Sequence, residues 1–122
     1  IARVKAPSLS TKTAANMLPL GLPASYWLYL REYNPVTTAV SLTHSMLILQ
    51  GERDYQVTMT DYAGWQSISR ENVTTKSYPK LNHLFMSGEG AGLSQPSDYE
   101  HISHVDPQVI EDIAAWVRKI GR

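Results

Sequence analysis

Cysteine is absent from the 122 residues, which removes disulfides, thiolate metal ligands and a cysteine nucleophile together. Net charge is absent too. Eleven Lys and Arg offset 11 Asp and Glu, so no electrostatic footprint points to nucleic acid or an anionic membrane. No apolar run approaches the roughly 18 residues of a membrane span, and Arg3 to Lys12 lacks the apolar core of a signal peptide. We therefore expect neither a nucleic-acid nor a membrane partner. There is no repeat, low-complexity tract or linker, and the length suits one domain. Residue 1 is Ile rather than Met. From this we expect a chain that begins inside a longer gene product, with processing of a precursor as the alternative. A cysteine-free composition suits either side of a bacterial membrane, so compartment stays open.

What is there reads as α/β. Met46-Leu47-Ile48-Leu49 is an apolar run without alternation, the pattern of a strand buried on both faces of a parallel sheet. Thr58-Met59-Thr60-Asp61 resembles a capping box with Asp in place of Glu. Tyr62, Trp65 and Ile68 then recur every three residues, predicting a helix that ends near Ser69. Val73 to Tyr78 is the next strand, closed by Pro79. Two such strands joined through a helix make a right-handed βαβ unit. Asp106-Pro107 opens the best helix signal: an N-cap, Pro at the first position, Glu111 and Asp112 early, Arg118 and Lys119 late, and Gly121 beyond the end. Val109, Ile113, Val117 and Ile120 form its apolar stripe, wide enough to pack on a sheet. Nearer the start, a helix from about Lys12 to Leu18 is possible. The breakers Leu18 to Pro23 follow it, then an apolar patch at Ala24 to Tyr33 suited to a helix or flap. Asn34-Pro35 stops that patch, and Val36 to Ser41 reads as a short helix or turn.

The residues that can carry chemistry are Asp54 and His83, each just beyond the end of a strand. In open parallel sheets, ligands meet the protein at the carboxyl ends of strands. Adjacent strands can therefore bring the two side chains within hydrogen-bond reach. A carboxylate on one imidazole nitrogen fixes the tautomer, while the other nitrogen takes a proton from a hydroxyl. The bland readings are a carboxylate capping its own loop and a solvated imidazole.

Leu47 to Val57, with its Gly51-Glu52-Arg53-Asp54, and Tyr78 to Phe85, with its Asn82-His83, carry a family resemblance. His104-Val105-Asp106 to Trp116 supports it. From about Leu18 to Ile120 the chain resembles the C-terminal portion of an alpha/beta-hydrolase, especially the bacterial esterases grouped with dienelactone and cinnamoyl ester hydrolases. The resemblance implies that Asp54, in the Gly-x-x-Asp loop, is the triad acid. It implies that His83, in the Asn-His pair, is the triad base, in the chain order of that fold. A Gly-x-Ser-x-Gly elbow is absent, as is the family's oxyanion-hole loop. The implied architecture is a C-terminal piece of the fold. Residues 1–40 would be the end of a cap region and lead-in helix, and 41–122 the C-terminal part of the core. Tyr26, Trp27 and Tyr29 would then line the substrate pocket, core packing being their alternative. The implied function is to supply acid and base to a serine hydrolase of carboxylic esters, inactive without the serine-bearing part. The substrate would be a small-molecule ester, with no cofactor. The alternative is a non-catalytic interaction module with a hydrolase-derived half-fold.

Other candidates are weaker. His101 and His104, with His44, have metal-like spacing, but no acidic cluster accompanies them, and we expect no metal site. The glycines at 88, 90 and 92 open no helix, so a phosphate cradle is not expected. In hydrolases of the resembled type such a loop sits beside the His, and mobility suffices to explain it. Asn72-Val73-Thr74 is a glycosylation sequon by pattern only. A piece holding two strands would leave an unpaired apolar edge, so we expect self-association or pairing with a missing N-terminal part.

Overall fold

Two parallel strands organise the C-terminal part of the chain. The computed structural model describes residues 2–90 and 92–121, and these form two units, residues 1–41 and 42–122. In the second unit, β1 (Met46–Gly51) pairs in parallel with β2 (Val73–Tyr78), in register from Met46 opposite Val73 to Gly51 opposite Tyr78. Asn72 fastens the start of the pair. Its carbonyl accepts from Met46 N–H at 2.8 Å, and its Nδ2 donates to the His44 carbonyl at 2.7 Å. The amide that a sequon would offer for modification is thus engaged in the fold. The fold class shown is a mixed one, helices with a small parallel sheet.

Between the strands lies α4, Met59–Gln66. The expected capping arrangement is present, since the Asp61 carboxylate accepts from Thr58 N–H at 2.8 Å and Thr58 Oγ at 3.1 Å. This helix ends earlier than the stripe predicts. Ser67 turns its hydroxyl back to the Gly64 carbonyl at 2.6 Å, a side-chain bond that competes with helix continuation. Ile68, though past the end, is still buried.

The helix α5, Pro107–Ile120, follows the sequence closely. Asp106 caps it by accepting from Gln108 N–H at 2.9 Å, and Gly121 follows its end. Its packing does not follow the expectation. Only Val109 is buried, in a small core with Tyr78, Leu81, Leu49 and Phe85. Ile113, Val117 and Ile120 are exposed. The strands depart in the same way: Met46 to Leu49 are half-buried rather than covered on both faces, and β2 alternates. Asp112 ties the helix to β2 through Lys76 and Tyr78, and the apolar stripe beyond Val109 is left about half exposed.

The first unit holds α1 (Ala2–Lys5), α2 (Ala24–Glu32) and α3 (Pro35–Ser41). A helix over 12–18 is not formed. That stretch is turns with a single 3-10 turn at Ala15–Met17, and a second follows at Pro19–Gly21. Pro19 lacks the N–H and φ freedom to extend a helix here. Leu9, Leu18 and Ala24 form the core, with Val4, Trp27 and Leu28 packed against it. Asn34 starts α3, its side chain accepting from Thr37 N–H at 3.1 Å with Pro35 at the first position. No helix is long and apolar enough to cross a membrane among the described residues.

Candidate active site

The acid loop begins where β1 ends. Gly51 is buried, and a Cβ there would come within 2.5 Å of the Leu81 and Asn82 carbonyl oxygens. Only glycine lets the end of β1 approach the segment after β2 so closely. Arg53 N–H bonds the Leu81 carbonyl at 3.0 Å, joining the two loops. Asp54 then folds back on its own loop. Its Oδ1 accepts from the N–H groups of Gln56 at 2.8 Å and Val57 at 3.0 Å. Gln50 braces the same turn from below, its side-chain amide donating to the Gly51 and Val57 carbonyls, both at 2.8 Å.

The base sits on a second tight turn. Asn82 is 2 % exposed, and its Oδ1 accepts from Leu84 N–H at 3.0 Å and Met86 N–H at 3.1 Å. Phe85 N–H closes the turn on the Asn82 carbonyl at 3.0 Å. Phe85 itself has φ +55°, a left-handed conformation that a bulky residue adopts only under constraint. Its ring is held edge-on against Tyr78, 6.1 Å between centroids, and its carbonyl accepts from Asp106 N–H at 2.9 Å. His83 rides at the corner of this turn.

The two side chains meet in a hydrogen bond, His83 Nδ1 to Asp54 Oδ2 at 2.7 Å. Asp54 is 4 % exposed, whereas the His83 side chain is 39 % exposed. Burial alone would raise the Asp54 carboxyl. The Val57 N–H, the His83 ring and the Gln56 N–H outweigh it, and hold the group below the ordinary carboxylate value. An ionised carboxylate can only accept, so Nδ1 carries the hydrogen and Nε2 is the nitrogen left to act as a base. Beside the pair opens a pocket of about 180 Å³, walled by Leu49, Gln50, Val57 and Phe85 with Asp54 and His83. The arrangement can take a proton from a hydroxyl brought to Nε2 and stabilise the resulting imidazolium.

The other candidate residues are described within their own units. Tyr26 and Tyr29 are exposed on α2, whereas Trp27 packs on the core of its own unit. His44, His101 and His104 are exposed, and the described residues contain no group of three or more metal-ligating side chains. Sequence reasoning gave no role to Gln50 or Arg53. The loop from Gly88 is less free than its glycines suggest, because the Arg53 side chain bonds the Glu89 carbonyl at 2.8 Å and the Gly92 carbonyl at 3.1 Å.

No family model matches the chain, and no solved structure matches it. Among curated proteins, Esterase EstD of Thermotoga maritima is 46% identical over 102 residues, which is 82% of this chain. The chain spans 24% of that protein's length. The likeness to a bacterial esterase read from the two loops is therefore shown, and this chain is related to a part of an esterase across most of its residues.

Proposed function

We propose that the chain is the acid- and base-bearing C-terminal part of a serine hydrolase of the alpha/beta-hydrolase fold, acting on carboxylic esters. The observation that carries this reading is the 2.7 Å bond between Asp54 and His83, made by two turns from adjacent parallel strands. In the whole enzyme a serine outside these residues attacks the ester carbonyl while His83 Nε2 takes its proton. His83 then protonates the leaving alcohol and activates the water that releases the acid. Asp54 keeps Nδ1 protonated and stabilises the imidazolium. No step calls for a cofactor. Tyr26 and Tyr29 offer exposed rings for substrate contact, which predicts a raised KM for Tyr29→Ala.

The 122-residue chain alone has no route to an acyl-enzyme, so it is inactive by this account. The exposed stripe of α5 and the half-buried β1 call for cover, from the serine-bearing part or from a second copy. Those same uncovered faces favour a second reading, a non-catalytic interaction module in which Asp54 and His83 do not affect partner binding. The test is nitrophenyl ester hydrolysis by the whole gene product, its His83→Ala variant and the 122-residue chain. Activity in the first alone supports the hydrolase. Activity of the 122-residue chain above a His83→Ala control, or no effect of His83→Ala in the whole product, refutes it.

A further inference from the structure

Arg53 immediately precedes Asp54 and is 8 % exposed. A buried guanidinium is costly unless its donors are met. Here the segment beyond the His83 turn meets Nε and Nη2, while Nη1 is buried without a hydrogen-bond partner. Nη2 donates to the Glu89 carbonyl at 2.8 Å and lies 3.7 Å from the Asp98 carboxylate, while Nε donates to the Gly92 carbonyl at 3.1 Å. The Arg53 main chain is used as well. Its N–H bonds Leu81 at 3.0 Å, two residues before His83, and its carbonyl accepts from the fully buried Ser94 N–H at 2.7 Å. Gly88 completes the seat, since a methyl group there would collide with Arg53 Nη1. On the other side of Asp54, the Tyr55 ring meets Tyr99 at 6.2 Å between centroids.

The segment beyond His83 is thus strapped to the acid loop on both sides of the carboxylate, and one residue holds most of the knots. We propose that Arg53 is a positioning residue for the acid–base pair, latching this strap so that Asp54 stays dry and aligned with His83. The inference rests on the acid–base reading above. Arg53 acts through the strap: its guanidinium is bonded there and not to Asp54 or His83. A loosened strap admits water beside a bond that is strong only where the local dielectric is low. Misplacement by about 1 Å costs a catalytic group about 100-fold. Lysine is a poor substitute, because a single ammonium cannot reproduce a fork that reaches two carbonyls and a carboxylate.

The test uses the whole gene product as wild type, Arg53→Ala, Arg53→Lys, Gly88→Ala and His83→Ala. Steady-state kinetics on a nitrophenyl ester separate kcat from KM, and proton NMR follows the low-field Nδ1–H signal of the paired His83. Arg53→Ala and Gly88→Ala should each lower kcat about 100-fold at unchanged KM and broaden or abolish the low-field signal, with Arg53→Lys in between. Gly88→Ala disturbs the latch from its other side without changing any charge, and carries the test if Arg53→Ala does not fold. Folded Arg53→Ala and Gly88→Ala proteins with wild-type kcat and an intact low-field signal would overturn the latch while His83→Ala remains inactive. Wild-type hydrolysis by His83→Ala would instead overturn the acid–base reading itself.

Discussion

Replacing Gly51 by alanine tests the joint between the two turns. The added methyl would lie 2.5 Å from the Leu81 and Asn82 carbonyl oxygens and 2.9 Å from the Leu81 carbonyl carbon, against 3.4 Å for an ordinary contact. All three atoms are backbone, so no side chain can swing away, and the loops must part by nearly an ångström. Overpacking of this kind costs about 1–3 kcal/mol. The same displacement stretches the 3.0 Å bond from Arg53 N–H to the Leu81 carbonyl past useful length, a further loss of about 1 kcal/mol. We therefore expect Gly51→Ala to lower stability by about 2–4 kcal/mol, read as a shifted urea midpoint at unchanged slope. Because the joint also sets the distance between Asp54 and His83, kcat of the whole gene product should fall about 100-fold in the protein that remains folded. Wild-type stability and wild-type kcat in Gly51→Ala would refute the reasoning, since the close approach could not then be holding the pair together.

Asp54→Asn should lower kcat by about 10⁴-fold with little change in KM, because the amide favours the wrong histidine tautomer; ester hydrolysis of the whole product measures it. The Asp54 carboxyl is held below its ordinary value, so its contribution to stability is complete above the unfolded value of about 4 and is lost as pH falls through the lower native one. Urea midpoints measured downward from pH 5 should therefore fall more steeply in wild type than in Asp54→Asn. Asn82→Ala leaves the Leu84 and Met86 N–H groups without their acceptor and should cost about 1–3 kcal/mol, whereas Asn82→Asp keeps both bonds; thermal unfolding compares the two. Asp106→Ala removes the cap of α5 and should cost about 1 kcal/mol by the same measurement.

The sequence was most legible where the signal is local. Asp106-Pro107 and the terminal charges place α5 to the residue, and Thr58 with Asp61 places the start of α4. Both strands were readable from apolar and β-branched runs, although β1 continues through Gln50 and Gly51. Those two residues break the apolar pattern because they serve the acid loop. Burial was less legible. The Met46 run is half-buried and Ile113, Val117 and Ile120 of the α5 stripe are exposed, so both are less covered than their patterns predict. At the site, Asp54 and His83 were visible as an acid and a base at strand ends. The residues that hold them were not. Arg53 reaches carbonyls 36 and 39 positions away, and the amide of Gln50 braces a turn seven residues on. No spacing rule encodes a side-chain bond to a distant main chain, and a buried Arg looks in sequence like any surface charge.

The most direct measurement treats the whole gene product with a fluorophosphonate that labels activated serines, and maps the adduct by mass spectrometry in wild type and in His83→Ala. Our account predicts one adduct on a serine outside these 122 residues, formed rapidly in wild type and at a greatly reduced rate without His83. No adduct in wild type, an adduct on a serine within the 122 residues, or an unchanged labelling rate in His83→Ala would contradict it.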